Sequence, residues 1–105
     1  VRRYVNNLGF VENEGNIEAP VKKPYPISLR SVIPKRNECN NLIVPVCLSA
    51  SHIAFGSIRM EPVFMVLGQS SAIIANYVVE KNIALQDINY FDLKSHLIKR
   101  GQILN

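Results

Sequence analysis

With 105 residues, 48% of them hydrophobic and 19% charged, the chain is one domain or a piece of one, and it is too apolar to be disordered. Its net charge of +4 is dispersed as the doublets Arg2-Arg3, Lys22-Lys23, Lys35-Arg36 and Lys99-Arg100 with acids between them, which argues for solvated surface charge and against a nucleic-acid face. Cys39 and Cys47 have neither a CxxC partner nor a nearby histidine pair, so no zinc or other metal site is expected.

Val1 to Phe10 reads as a short helix, or the end of a longer one, stopped by Gly9. No signal peptide is expected, because Val1-Arg-Arg-Tyr leads into polar residues. Glu12 to Asn16 is turn-like, and Ile17 to Ala19 suits a short strand. Pro20, Pro24 and Pro26 then require extended backbone. Ile27 to Ile33 alternates apolar and polar residues, the period-2 sign of a strand with one wet face, and Pro34 ends it. Lys35 to Asn41 is a charged turn.

Leu42 to Cys47 is a continuous apolar run, as expected of a strand covered on both faces, with Pro45 at an edge or where the strand leaves its sheet. Cys47 is read as a small core residue, and a disulfide to Cys39 would bend the chain back over that strand. Leu48 to Met60 has no clear period and reads as a loop. Pro62 is read as the first residue of a helix that runs to about Val79 or Glu80, roughly 28 Å at about 1.5 Å per residue. Gly68, Gln69, Ser70, Ser71 and Asn76 interrupt its apolar run, so it is read as a buried helix and not as a membrane span. Asn82 stops it. Asn89 is the N-cap of a last helix, with Asp92 in the first turn, Gly101 past the end and an apolar stripe of Leu93, Leu97 and Ile98.

The long helix is apolar nearly all round, and such a helix has to be covered all round. A few strands and one short helix can cover about half of it. Gly68, Ser71, Ala72 and Ala75 recur at helical spacing and would admit a neighbouring backbone, either from polypeptide outside these residues or from a second copy.

Pro24 to Lys35, Glu38 to His52, Gly56 to Ser70, Leu85 to Leu93 and Gly101 to Leu104 together resemble the C-terminal region of a family of FAD-dependent oxidoreductases with a glutathione-reductase-like nucleotide fold. Some bacterial members are labelled as xanthan lyases, a label that implies no lyase chemistry. The resemblance implies an α/β fold, or α+β when the region is taken by itself. Its parts are a few short strands, a long buried helix and a C-terminal helix within a larger FAD-binding fold. Residues 1–23 become an entry segment, 24–81 a strand–loop–helix closing the flavin site, and 82–105 the C-terminal helix.

In that family an N-terminal βαβ unit with GxGxxG binds the ADP half of FAD. Here the five glycines stand far apart and no such motif exists. The resemblance therefore implies a partner, the N-terminal FAD-binding region of the parent protein, and no activity from this chain alone. Related flavoproteins often carry Gly-Asp after the strand; Val46-Cys47-Leu48 stands there instead, which leaves ribityl contacts to backbone groups and to Ser49 or Ser51.

The implied cofactor contacts are Ser49, Ser51, Gly56, Ser57, Arg59, Met60 and Pro62, and the implied catalytic residues are His52 and Arg59. A reduced flavin holds negative charge near N1 and the C2 oxygen, which a helix N-terminus and Arg59 would stabilise. Each of these has a plainer alternative. Arg59 could pair with Glu61 or another carboxylate, His52 could be structural, and the serines could cap turns. His96 is expected to face solvent beside Lys94 and Lys99. A self-associating interaction module without cofactor, with a homo-oligomer as its assembly, is the competing reading, and no nucleic acid or membrane is expected as partner.

Overall fold

The computed structural model describes residues 3–13, 15 and 20–104. They form a mixed α/β arrangement of one two-stranded antiparallel sheet and three α-helices. The expected strand at Ile17–Ala19 lies outside the described residues.

The N-terminal segment is a hairpin and not a helix. Strands β1 (Arg3–Val5) and β2 (Val11–Asn13) pair with Tyr4 opposite Glu12 and Val5 opposite Val11. The Asn6 side chain accepts from the N–H of Leu8 and Phe10, and Gly9 adopts φ 81 to close the turn. That local chemistry outweighs helix propensity, and Glu12 ties the ends by accepting from Tyr4 and Asn6.

Pro20 to Ser28 carries neither helix nor strand, as three prolines require. The period-2 segment after it is no strand. Leu29–Ser31 is a 3-10 turn, capped by the Ser28 side chain. Nor is Leu42 to Cys47 a strand: Val44 N–H bonds to Val32 O and Ser49 N–H to Ser31 O, two isolated bonds without a ladder. Pro45 removes a donor mid-run, and no other strand among the described residues lies alongside to complete a sheet. Leu42 and Val46 remain about half exposed, and Cys47 is an exposed free thiol instead of a core residue.

The expected loop at 48–60 contains helix α1 (His52–Ile58). Ser51 caps it by accepting from Ala54 N–H, and Ala54 and Ile58, four residues apart, turn inward. Helix α2 spans Glu61–Lys81, one residue earlier than expected at its start and one or two residues later at its end. Asn82 stops it in the left-handed conformation (φ 51), its N–H shared between the Val78 and Val79 carbonyls. Helix α3 (Tyr90–Lys99) begins on the Asn89 cap and ends before Gly101 at φ 83.

Two apolar clusters hold these parts. Ile74 and Tyr77 of α2 meet Leu85, Leu93 and Leu97, and Val32, Leu48 and Ile58 pack beneath Val63, Phe64 and Leu67. Leu29, Ile33 and Ile43 touch both clusters. Of the expected α3 stripe, Leu93 and Leu97 are buried while Ile98 faces outward. Gln86 donates to Pro34 O and Cys39 O, and Arg36 pairs with Asp87, which binds the 34–40 turn to the segment before α3.

Tyr77 anchors α3 to α2. Its hydroxyl donates to Asp92 at 2.8 Å, and His96 stacks edge-on against its ring at 5.3 Å. His96 thus leans on α2 with one edge while its side chain stays 43% exposed. The hydrogen bond to Asp92, then burial, then the carboxylate charge raise the Tyr77 hydroxyl above the ordinary tyrosine range. With the folded pKa above the unfolded one, this contribution to stability is fully present below pH about 10 and fades as pH climbs through the folded value. The stability difference between the wild type and Tyr77→Phe should accordingly narrow above pH about 10 in urea titrations.

Candidate functional site

The predicted site residues occupy one stretch, from the end of the apolar run through α1 to the first turn of α2, and the fold gives each a local task. Ser49 is exposed, its N–H held by Ser31 O. Ser51 is the α1 N-cap. Ser57 donates to Ala54 O at 2.9 Å and bonds to the Tyr25 hydroxyl, so its oxygen is already engaged. His52 is the first residue of α1 and exposed.

Gly56 sits in mid-helix, exposed, and a Cβ there would meet nothing within 4 Å. Gly56→Ala should therefore stabilise the isolated chain by about 0.5–1 kcal/mol through helix propensity, read as a higher urea midpoint.

Arg59 lies between two helices. Its N–H bonds to Phe55 O as the α1 C-cap, where a positive side chain complements the last carbonyls, and α2 begins two residues later. Among the described residues it makes no ion pair, so the Arg59–Glu61 pairing weighed from the sequence does not form. Met60 is the α2 N-cap and has no side-chain capping bond, and Pro62 is the second helical residue.

The free donors of α2 are fewer than the sequence implied. The N–H groups of Val63 and Phe64 both bond to Met60 O, and Pro62 has none. Glu61 N–H is left without a backbone partner among the described residues. The junction carries in its backbone order an exposed arginine, one amide donor and the positive end of a 21-residue helix, with the Glu61 carboxylate in that helix's first turn opposing them.

Two further features escaped the sequence reading. Tyr25, held extended between Pro24 and Pro26, reaches 32 residues along the chain to Ser57 and pins the Pro-rich segment against α1. A tyrosine fixed between two prolines was the available signal. The second is a cleft of about 500 Å³ between α2 and α3, lined among others by Gln69, Asn76, Tyr77, Glu80, His96 and Arg100. It begins about two helical turns beyond Pro62, so it is separate from the predicted site. No group of three or more His, Cys, Asp or Glu able to hold a metal occurs among the described residues.

The family model for FAD dependent oxidoreductases matches residues 3–97. The chain belongs to that family. No curated protein and no solved structure matches the chain. Membership of this FAD-dependent oxidoreductase family ties the chain to FAD and to redox chemistry, and it covers the hairpin, α1, α2 and most of α3.

The donor chemistry at the α1–α2 junction would suit one end of such a cofactor and not the other. An arginine without a carboxylate partner among the described residues, beside a free amide at a helix start, suits the electron-rich pyrimidine edge of an isoalloxazine. The ADP half finds no fit: Gly9, Gly15, Gly56, Gly68 and Gly101 are too widely spaced to make a pyrophosphate turn before a helix.

Proposed function

We propose that this chain is the C-terminal part of an FAD-dependent oxidoreductase and presents the α1–α2 junction to the flavin ring. An N-terminal FAD-binding region of the same polypeptide holds the ADP half, and the chain has no activity by itself. In this reading residues 1–23 lead in, 24–81 close the flavin site and 82–105 support it. The observation that carries it is the family match over residues 3–97 together with an Arg59 that no carboxylate neutralises among the described residues.

FAD, when bound, supplies the two-electron chemistry. Arg59 holds positive charge where a reduced ring gathers negative charge, and the α2 start adds its dipole and the Glu61 N–H. The Glu61 carboxylate works against both and tempers their effect. His52, exposed at the start of α1, is free to donate to substrate or ring edge. Ser51 and Ser57 set the shape of α1, and Ser49, Gly56, Met60 and Pro62 form the surface around the arginine.

Absorbance tests the reading: the whole gene product should be yellow with oxidised-flavin bands. A colourless product, made in cells with ample FAD, ends this proposal.

A further inference from the structure

Arg59 takes its place from α1, a helix of seven residues that is too short to hold a direction of its own. Ile58 is the one buried residue of α1, and Ala54, one turn before it, packs against the same cluster. The two lie within about 40° of each other round the helix, so they make a single line of contact about which α1 can roll. Arg59 is exposed and stands about 100° round from Ile58, where that contact does not fix its aim.

Ser57 supplies a second fixed point. Its hydroxyl donates to Ala54 O at 2.9 Å, so in the bond with Tyr25 the serine oxygen accepts and the phenol donates. Ser57 stands about 100° from Ile58 in the opposite sense, which puts it on the far side of α1 from Arg59. A core contact on one side and a hydrogen bond at the back leave α1 one angle of roll.

Tyr25 is itself fixed before it reaches Ser57. Pro26 confines it to extended backbone, and Pro24 sets the φ of the residue before it. Ile27, two residues on, packs into the same cluster as Ile58, which ties this segment to the body that α1 leans on. Little backbone freedom remains to be lost when the hydroxyl meets Ser57, so the bond sets position.

We infer that Tyr25 is a positioning residue for the flavin end of the site: through Ser57 it fixes the roll of α1, and thereby the place of the Arg59 guanidinium beside the ring. This deepens the flavin reading above and rests on it. Tyr25 acts through the helix and not by contact with the cofactor. Letting a guanidinium retreat from about 4 to about 6 Å from a negative charge removes about a third of their attraction.

The flavin potential of the whole gene product, read by photoreduction against a dye, tests the assignment. Tyr25→Phe keeps the ring and removes only the hydroxyl, and it should make the flavin harder to reduce by about a third of the shift that Arg59→Ala produces. Ser57→Ala removes the other half of the same bond and should give the same shift, and the two together no more than either alone. Ser57→Thr keeps the oxygen and should recover the wild-type potential. In an Arg59→Ala background Tyr25→Phe should shift nothing further, because no guanidinium is left to place.

A wild-type potential in Tyr25→Phe and Ser57→Ala, beside a shifted one in Arg59→Ala, overturns the inference and leaves the flavin reading standing, even if both variants lose stability. A Tyr25→Phe shift that persists in the Arg59→Ala background overturns it as well, since Tyr25 then acts on the ring by another route. Amide exchange at the Arg59 N–H, which bonds to Phe55 O, follows α1 without the flavin and should quicken in Tyr25→Phe. Unchanged exchange overturns the brace on α1. A colourless product, or an Arg59→Ala potential equal to wild type, sinks the flavin reading and the role of Tyr25 at the ring with it, and quicker exchange in that protein leaves the brace alone.

Discussion

Leu93→Ala is expected to cost about 3 kcal/mol and to release α3 from α2. Leu93 is only 1% exposed and sits among Ile74, Tyr77, Leu85 and Leu97, at the apolar centre of the α2–α3 contact that the Tyr77–Asp92 hydrogen bond and the His96 ring border. Removing its branched end leaves a cavity with few neighbours able to fill it, which puts the cost well above the transfer of the lost methyl groups alone. Total stabilities of small domains are about 5–15 kcal/mol, and this chain covers its own surface poorly, so the loss is a large fraction of what holds it. Ile98→Ala, on the outward side of α3, should cost about 0.5 kcal/mol or less. Urea unfolding followed by circular dichroism compares the two, and equal losses would show that the α2–α3 core is not where the structure puts it.

Arg59→Ala should make the flavin of the whole gene product harder to reduce, by roughly 1–2 kcal/mol for a unit charge acting through a partly solvated site. The sign follows from electrostatics: reduction adds negative charge, and the substitution removes the one side-chain cation at the α1–α2 junction, which makes no ion pair among the described residues. Arg59→Lys keeps the charge and should recover most of the effect. Raising the salt concentration should shrink the difference between wild type and Arg59→Ala, since Arg59 is exposed in this chain. Arg100→Ala, at the α3 C-cap beside the α2–α3 cleft and away from the α1–α2 junction, serves as the control and should leave the potential unchanged. Equal potentials for the wild type and Arg59→Ala, measured by photoreduction against a dye, would remove Arg59 from the flavin site.

Helix α2 and its stop, the Asn89 cap and the Gly101 turn were legible in the sequence because each rests on chemistry local to a few residues. A proline in the first turn, an asparagine able to take positive φ, and a side-chain oxygen facing free N–H groups act alike in any tertiary setting. The junction at Arg59 was legible for the same reason, as a helix start with a cation just before it. Helix α1 was missed although Ser51 announced it, because seven residues containing glycine and serine carry too little period to stand out.

The strands were misread for a different reason. Alternation in Ile27 to Ile33 and the apolar run in Leu42 to Cys47 state how the segments meet a neighbour, but a strand exists only when another strand completes its ladder, and none among the described residues does so. Conversely the hairpin at residues 3–13 is closed by the Asn6 side chain, by Gly9 at positive φ and by Glu12 across the strands, where a short helix was expected. His96 against Tyr77, Tyr25 on Ser57 and the exposed side of α2 depend on which faces the folded chain brings together. The sequence by itself determined where α2 and α3 start and stop and that α2 is apolar nearly all round. Only the tertiary structure decided which side of α2 the chain covers and which it leaves open, because burial is settled between elements distant in sequence and local propensity is blind to them.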